Sequence, residues 1–377
     1  MPNSLSAGEV SLPQAIILGL VLSYAITPFV RRLSLRAGML DIPRDGRRMH
    51  KGAVPLAGGA GMIAAFLLSL AFFGGGGTGG ISPAPLALFC FLCGAYGLLD
   101  DKRALPASKK LCFQALAAVA ASLFLARAEA FSFFGYTVNL GVLSVPATAC
   151  WIVFMMNAVN LTDGMDGLCA GTSAVSAACL SLLLFRHGDV FCAISAASLS
   201  GASLGFLFHN RAPAKIFMGE TGAAFLGFML AVLSLPLFSA AEPSPLAAVL
   251  PVFLFPASEA VGSFFRRVSR GKNPFAPDKS HMHHLLFARG FSVPRVCALM
   301  YLFALLCAFC ALEYGAHRVL SLLLFASAVV FMRVLLAGKR KAGEAPPSLH
   351  YHDGYDERHE QNISVGKVES ERDDDTD

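Results

Sequence analysis

An all-α polytopic membrane bundle of about eleven helices is the fold this sequence predicts, on three observations. Its 377 residues are 55% hydrophobic and only 15% charged, with a mean hydropathy of +0.60, whereas soluble domains carry about 25% charged residues. The apolar residues fall in runs of about 17–22, long enough to cross a bilayer. The connections between runs alternate between rich and poor in Lys and Arg, as topology rules require of a multi-span chain.

The expected spans are 12–34, 54–73, 84–99, 111–127, 142–159, 168–186, 189–208, 222–240, 246–265, 296–313 and 317–337. No basic region precedes the first, so no cleaved signal peptide is expected. The fifth runs into a polar cluster. Arg186 to Asp189 make a tight turn between the sixth and seventh. An odd number of spans separates the termini, and a cytoplasmic C-terminus with the N-terminus outside satisfies the charges. The inner loops then hold Arg31 to Lys51, Lys102 to Lys110, Arg211 with Lys215, and Arg266 to Arg295, while the outer side keeps Arg127, Arg186 and Arg318. Outer loops such as Gly74 to Gly80 and Glu242 to Pro245 read as short and bland. Residues 1–338 form the bundle, and 339–377 are a polar tail expected to be disordered. The tail's His350, His352 and His359 read as solvated. The ten Cys are scattered, mostly in apolar runs, where Cys behaves as a small hydrophobe. Cys90 and Cys93 have CxxC spacing but lie inside an apolar run, where a metal or redox role is not expected.

Every polar motif falls on the inner side. The first loop carries Asp41-Ile42-Pro43, Arg47, His50-Lys51 and Pro55 through Gly58-Gly59. Its cations suit anionic headgroups, and its glycine pair suits close helix packing. The second is Asp100-Asp101-Lys102-Arg103, then Lys109-Lys110. Adjacent helical residues point about 100° apart, so one Asp can bind a cation or accept a proton while the other pairs with Lys or Arg. The third is Asn157-Ala-Val-Asn160-Leu-Thr-Asp163-Gly-Met-Asp166-Gly167. Its polar residues recur every three positions, which on a helix places them along one face. Asn and Asp supply the oxygen donors that suit Mg²⁺. The fourth, Lys215 to Gly222, offers Glu220 as a further acid and Thr221 as a helix N-cap. The fifth has His281, His283 and His284 in basic surroundings. A zinc site would need further well-placed ligands, and imidazoles facing a phosphate fit better. Carboxylates and cations around one cleft suit phosphoryl transfer. No GxxxxGK[ST] motif is present, which excludes a P-loop nucleotide site.

These five ordered motifs, in register from about Ala37 to Arg295, resemble the polyprenyl-phosphate N-acetylhexosamine-1-phosphate transferases. The resemblance implies a multi-pass enzyme of the cytoplasmic (inner) membrane. Such an enzyme moves a phospho-amino-sugar from a UDP-sugar to a polyprenyl phosphate with Mg²⁺, or Mn²⁺, and releases UMP at the start of envelope polysaccharide synthesis. It further implies Asp100 or Asp101 as a base at the polyprenyl phosphate and Asn160 with Glu220 at the metal. Asp163 is implied near the phosphates, as a nucleophile in a two-step alternative. Lys51, Asn157, Asp166 with Phe217 at the uracil, and His281, His283 and His284 at the pyrophosphate are implied to bind substrate. Expected partners are the UDP-N-acetylhexosamine, the polyprenyl phosphate and membrane lipids; no nucleic acid is expected, and a homodimer is left open. The chain departs from the family pattern at Glu220 and Glu259, where Asp is usual. The pattern from His281 to Ser292 resembles the branch using UDP-N-acetylglucosamine more than the muramyl-pentapeptide branch. A membrane transporter and an inactive scaffold are the competing readings of another class. Charges clustered on one face without an internal repeat speak against the transporter.

Overall fold

The computed structural model describes residues 11–42, 52–73, 81–133, 136–238, 249–271, 281–314 and 317–337. Two units are distinguished, residues 1–41 with 54–347 and residues 42–53 with 348–377. Of the second, only Ile42, Gly52 and Ala53 are described, and the architecture below is that of the first. The predicted tail, the loops at Gly74 to Gly80 and Glu242 to Pro245, and Lys51 lie outside the described residues.

The protein is a polytopic helical membrane protein. In chain order its helices are α1 (Leu12–Arg36), α2 (Gly58–Phe73), α3 (Pro83–Arg103), α4 (Ala107–Phe124), α5 (Ser144–Asn160), α6 (Leu168–His187), α7 (Val190–Asn210), α8 (Gly219–Ser234), α9 (Leu254–Ser269), α10 (Met282–Ala288), α11 (Val293–Glu313) and α12 (Arg318–Ala337). Each expected span overlaps one of these helices, and α10 is an additional short one. Among the described residues, eight segments are long and apolar enough to cross a membrane, and α2 is apolar but shorter.

Local sequence explains the boundaries. α1 opens with a reciprocal cap: Ser11 Oγ accepts from Gln14 N, and Gln14 Oε1 accepts from Ser11 N. This satisfies two donors that a helix start leaves orphaned. The expected turn between α6 and α7 forms with Gly188 in the left-handed region and Asp189 accepting from Cys192 N at 3.0 Å.

Two features differ from the expected all-α fold. β1 (Leu40–Asp41) pairs with β2 (Val54–Pro55), and a β-hairpin, β3 (Ala130–Phe133) with β4 (Tyr136–Asn139), lies between α4 and α5. These β pairings are short and isolated in a strongly helical sequence, so the span periodicity carries no sign of them. The helical face expected along Asn157, Asn160, Asp163 and Asp166 stops at Asn160. Residues 161–167 form a turn, held by Thr162 N to Val159 O and Asp163 N to Asn160 O. Gly167 closes the turn and opens α6 at φ +80°, a conformation that glycine adopts readily.

α8 is the axis of the bundle. Every residue from Thr221 to Ser234 is buried, as expected of a helix apolar on all sides. It packs against α2, α3 and α5. Its N-terminal end is reached closely because glycines face it: a Cβ on Gly59 of α2 would overlap the Gly222 backbone, and one on Gly97 of α3 would overlap Thr221 Cα. The Gly58-Gly59 pair therefore serves packing. Gly97→Ala is expected to force α3 off α8 and destabilise the protein by about 1–3 kcal/mol, the usual cost of overpacking. Thermal unfolding in detergent checks this; an unchanged midpoint would show that the contact yields easily.

Candidate active site

The α8 N-terminus collects the polar motifs. Gly219 holds φ +72°, a conformation that L side chains rarely adopt. Asp101 lies against the space where a side chain there would begin. Asp101 Oδ1 accepts from Glu220 N at 2.7 Å, and Oδ2 accepts from Thr221 N at 3.2 Å and Thr221 Oγ1 at 2.6 Å. A carboxylate on α3 thus caps α8, where orphan N–H groups and the helix dipole favour an anion. Thr221, expected as the N-cap, instead donates its hydroxyl to that cap. Both Asp101 oxygens are engaged in holding Glu220 and Thr221, so its geometry is that of a positioning group.

Asp100, 4% exposed, faces the other way. Its Oδ1 accepts from Leu105 N at 2.7 Å, and its Oδ2 pairs with Lys110 Nζ at 2.5 Å. Lys110 also reaches Glu220 Oε2 at 3.2 Å. Glu220 Oε2 accepts from Asn160 Nδ2 at 3.2 Å as well. One Asp caps while its neighbour pairs with Lys, the division that their angular separation implies. Lys110 is the bridging cation that spacing alone did not single out. Asn157 is exposed and turned by Gln114, whose Oε1 accepts from Asn157 Nδ2 at 2.7 Å. Gln114 is buried; an amide inside an apolar span was the available signal.

The 161–167 turn is the hub. Asp163 faces the acidic group, and its carboxyl is raised well above the ordinary range. Burial is the larger cause, followed by the charges of Asp101, Glu220 and Asp166. Gly164 abuts the His283 ring, whose Nε2 occupies the space a Cβ would need. Asp166 Oδ2 accepts from Ala214 N at 2.9 Å. Buried Asn210 ties Gly167 N, which it accepts from, to Ile216 O, to which it donates. Tyr301 OH donates to Gly167 O. Phe217, half-buried, exchanges backbone bonds with Pro55 and Gly58.

The histidines are organised by Glu259. Its Oε2 lies 2.9 Å from His281 Nδ1, and its Oε1 accepts from Met282 N at 2.8 Å and lies 3.5 Å from His283 Nδ1. His281 and His283 are buried; the His283 and His284 ring centres are 4.3 Å apart. Glu259, expected only as a departure from a pattern, is a scaffold for the His segment. Among the described residues no group of three or more His, Cys, Asp or Glu is placed to hold a metal by itself. Asn160 and Glu220 do offer hard oxygen donors of the kind Mg²⁺ takes when substrate phosphates and water complete its shell.

Several of the predicted residues thus lie near one another, while Phe217 is placed by its backbone bonds alone and Lys51 lies outside the described residues. Asp100, Asp101, Asn160, Asp163 and Glu220 share the α8 end, while Asp166 lies on the 161–167 turn and His283 abuts that turn at Gly164. Asn157 stands one helical turn before Asn160.

Comparison with known proteins places this arrangement. Residues 84–237 match glycosyl transferase family 4. The chain is 31% identical over 330 residues to a Bacillus subtilis (strain 168) protein named "Probable undecaprenyl-phosphate N-acetylglucosaminyl 1-phosphate transferase", covering 85% of this chain and 90% of that one. It is 33% identical over 339 residues to the decaprenyl-phosphate N-acetylglucosaminephosphotransferase of Mycolicibacterium smegmatis, covering 80% and 82%. Identity to the phospho-N-acetylmuramoyl-pentapeptide-transferase of Listeria welshimeri is 34% over 275 residues, covering 68% and 82%. With about a third of its residues identical to such relatives along most of its length, the chain belongs to the polyprenyl-phosphate hexosamine-1-phosphate transferase family.

Proposed function

We propose that this protein transfers N-acetylglucosamine-1-phosphate from UDP-N-acetylglucosamine to undecaprenyl phosphate, releasing UMP. The observation that carries the reading is the convergence of Asn160, Asp163 and Glu220 with Lys110 at the α8 N-terminus. The names of the long-matching relatives favour the N-acetylglucosaminyl donor. The topology proposed with it has eleven spans, the N-terminus outside and the site facing the cytoplasm across the inner membrane, supported by the Lys and Arg asymmetry. Residues 1–338 are the catalytic bundle and 339–377 a cytoplasmic tail.

Asn160 and Glu220 would hold Mg²⁺, which when bound supplies charge stabilisation at the phosphates. The chain's own residues do the rest. A phosphate monoester has a second pKa near 6 and is largely dianionic at neutral pH. The acceptor therefore needs orientation and charge compensation more than deprotonation. Lys110 provides the compensation, with Asp100 fixing its ammonium. Asp101 sets the α8 end so that Glu220 faces the cleft. The lipid phosphate oxygen attacks the sugar-linked phosphorus in line, and the bond to the UMP oxygen breaks. His281 and His283, held by Glu259, donate to pyrophosphate oxygens together with His284. Asp166 and Phe217 border the uracil, and Asn157 completes the donor contacts. A two-step route through a phosphorylated Asp163 would exchange labelled UMP without lipid acceptor; the direct route predicts no exchange.

Purified protein given UDP-N-acetylglucosamine, Mg²⁺ and undecaprenyl phosphate is expected to release UMP. Silence with every UDP-amino-sugar would defeat the reading, and preference for the UDP-muramyl-pentapeptide would move the chain to the other branch. A proton linkage accompanies this. Without added Mg²⁺, the raised Asp163 carboxyl stays protonated above the usual range, and its contribution to stability is lost as pH rises through that raised value. A cation beside Glu220 opposes the three neighbouring charges and lowers the Asp163 pKa. Mg²⁺ uptake is therefore expected to release up to about one proton, with apparent affinity rising with pH until Asp163 is already ionised. Calorimetry in buffers of different ionisation enthalpy measures this, and Asp163→Asn should abolish the release.

A further inference from the structure

The α8 N-terminus leaves one built element of the bundle without a role. The β3–β4 hairpin sits where the α4 C-terminus meets the α5 N-terminus, at the end of the bundle opposite the polar cluster. It is anchored rather than loose. Leu140 N donates to Glu129 O, Ala128 N donates to Thr148 Oγ1 at 3.0 Å, and Ser144 Oγ donates to Ala128 O at 2.5 Å. Phe131 of β3 packs on Phe238 with ring centres 5.6 Å apart.

Strand alternation divides the hairpin into two faces. Ser132 and Thr137 pair on one, their hydroxyls 2.9 Å apart. The other carries Phe131 opposite Val138, with Tyr136 two residues from Val138. On the β3 side, Phe131 is half-buried against Phe238. The β4 half stands open, with Tyr136 80% and Val138 60% exposed.

Its surroundings continue the same surface. Val142 and Leu143, directly after the hairpin, are 94% and 60% exposed, and Phe124 at the end of α4 is 75% exposed. Leu116, Val119 and Leu123 extend the exposed apolar surface back along α4, a helix that crosses the membrane. Apolar surface of this extent in water would be a liability. Continuity with the lipid-facing side of α4 identifies what covers it. Tyrosine beside aliphatic groups at a span end is also the composition of a membrane–water interface.

We infer that the open face of the β3–β4 hairpin, with Val142 and Leu143, docks into the interfacial layer of the bilayer and sets the depth of the α4–α5 end of the bundle. The partner is the lipid surface, and the inference does not depend on the proposed reaction. Because Trp151 is the chain's only tryptophan, a reporter is simple to install. In a Trp151→Phe background, Tyr136→Trp is placed in vesicles of phosphatidylcholine brominated at shallow or deep acyl positions. The expected result is blue-shifted emission, quenched several-fold more by shallow than by deep bromines, while Thr137→Trp on the opposite face is quenched several-fold less than Tyr136→Trp. If Trp151→Phe unfolds, the same comparison is read as quenching beyond that of Trp151 alone. Water-like emission of Tyr136→Trp without quenching would overturn the inference. So would equal quenching at positions 136 and 137, or shielding of Tyr136→Trp that appears only as copies of the chain associate.

Discussion

Lys110→Met is expected to cut UMP release by at least about 10³-fold and to lower thermal stability, because one ammonium serves two carboxylates. Its Nζ lies 2.5 Å from Asp100 and 3.2 Å from Glu220. Removing it strands Asp100, which is only 4% exposed; breaking a buried pair from one side costs roughly 3–5 kcal/mol. It also removes the cation proposed to face the acceptor phosphate, and about 4 kcal/mol of lost transition-state stabilisation is a thousandfold in rate. The two effects separate in the double variant. Lys110→Met with Asp100→Asn discharges both partners, so the unfolding midpoint should recover toward the parent while activity stays low. A single variant with near-parental turnover would remove Lys110 from the reaction.

Glu220→Gln carries the second large effect. The amide keeps nearly the same shape, but it has no charge for a divalent cation and offers an N–H₂ toward Lys110 and Asn160, which already donate to this group. A loss of about 10³-fold in UMP release is expected, matching several kcal/mol of charge stabilisation, together with loss of the Mg²⁺ binding heat. Glu220→Asp keeps the charge one methylene further back and should retain most of what Gln loses. If Gln and Asp behave alike, Glu220 contributes shape alone and the metal assignment fails.

The legible and illegible parts of the site have different physical origins. Asp100, Asp101, Asn160, Asp163 and Glu220 could be picked out because polar groups next to apolar runs are expensive and conspicuous. Their individual roles could not. Asp101 and Asp100 are neighbours in sequence, yet one caps α8 and the other pairs with Lys110, a difference decided by which helices stand on either side of α3. Spacing placed Asp163 and Asp166 on a helix with Asn160; the turn at 161–167 instead sends Asp163, Gly164 and Asp166 toward three different partners. Glu259 stood out only as a departure from the family pattern and proves to hold His281 and Met282. Asn210 and Gln114 are single buried amides whose value lies wholly in their partners.

The sequence by itself determined that this is a helical membrane protein, roughly where its apolar helices lie and which connections carry the charge. Hydropathy and charge act locally, so each run of about 20 residues reports its own environment. Only the tertiary structure decided that α8 is the axis, that Lys110 is shared, that Asp101 is a cap and that a hairpin closes the far end. Those outcomes depend on backbones meeting where Gly59 and Gly97 leave room beside Gly222 and Thr221. They also depend on hydrogen bonds between residues more than a hundred positions apart, such as Asp101 with Glu220 and Thr221, and no local pattern encodes such a distance.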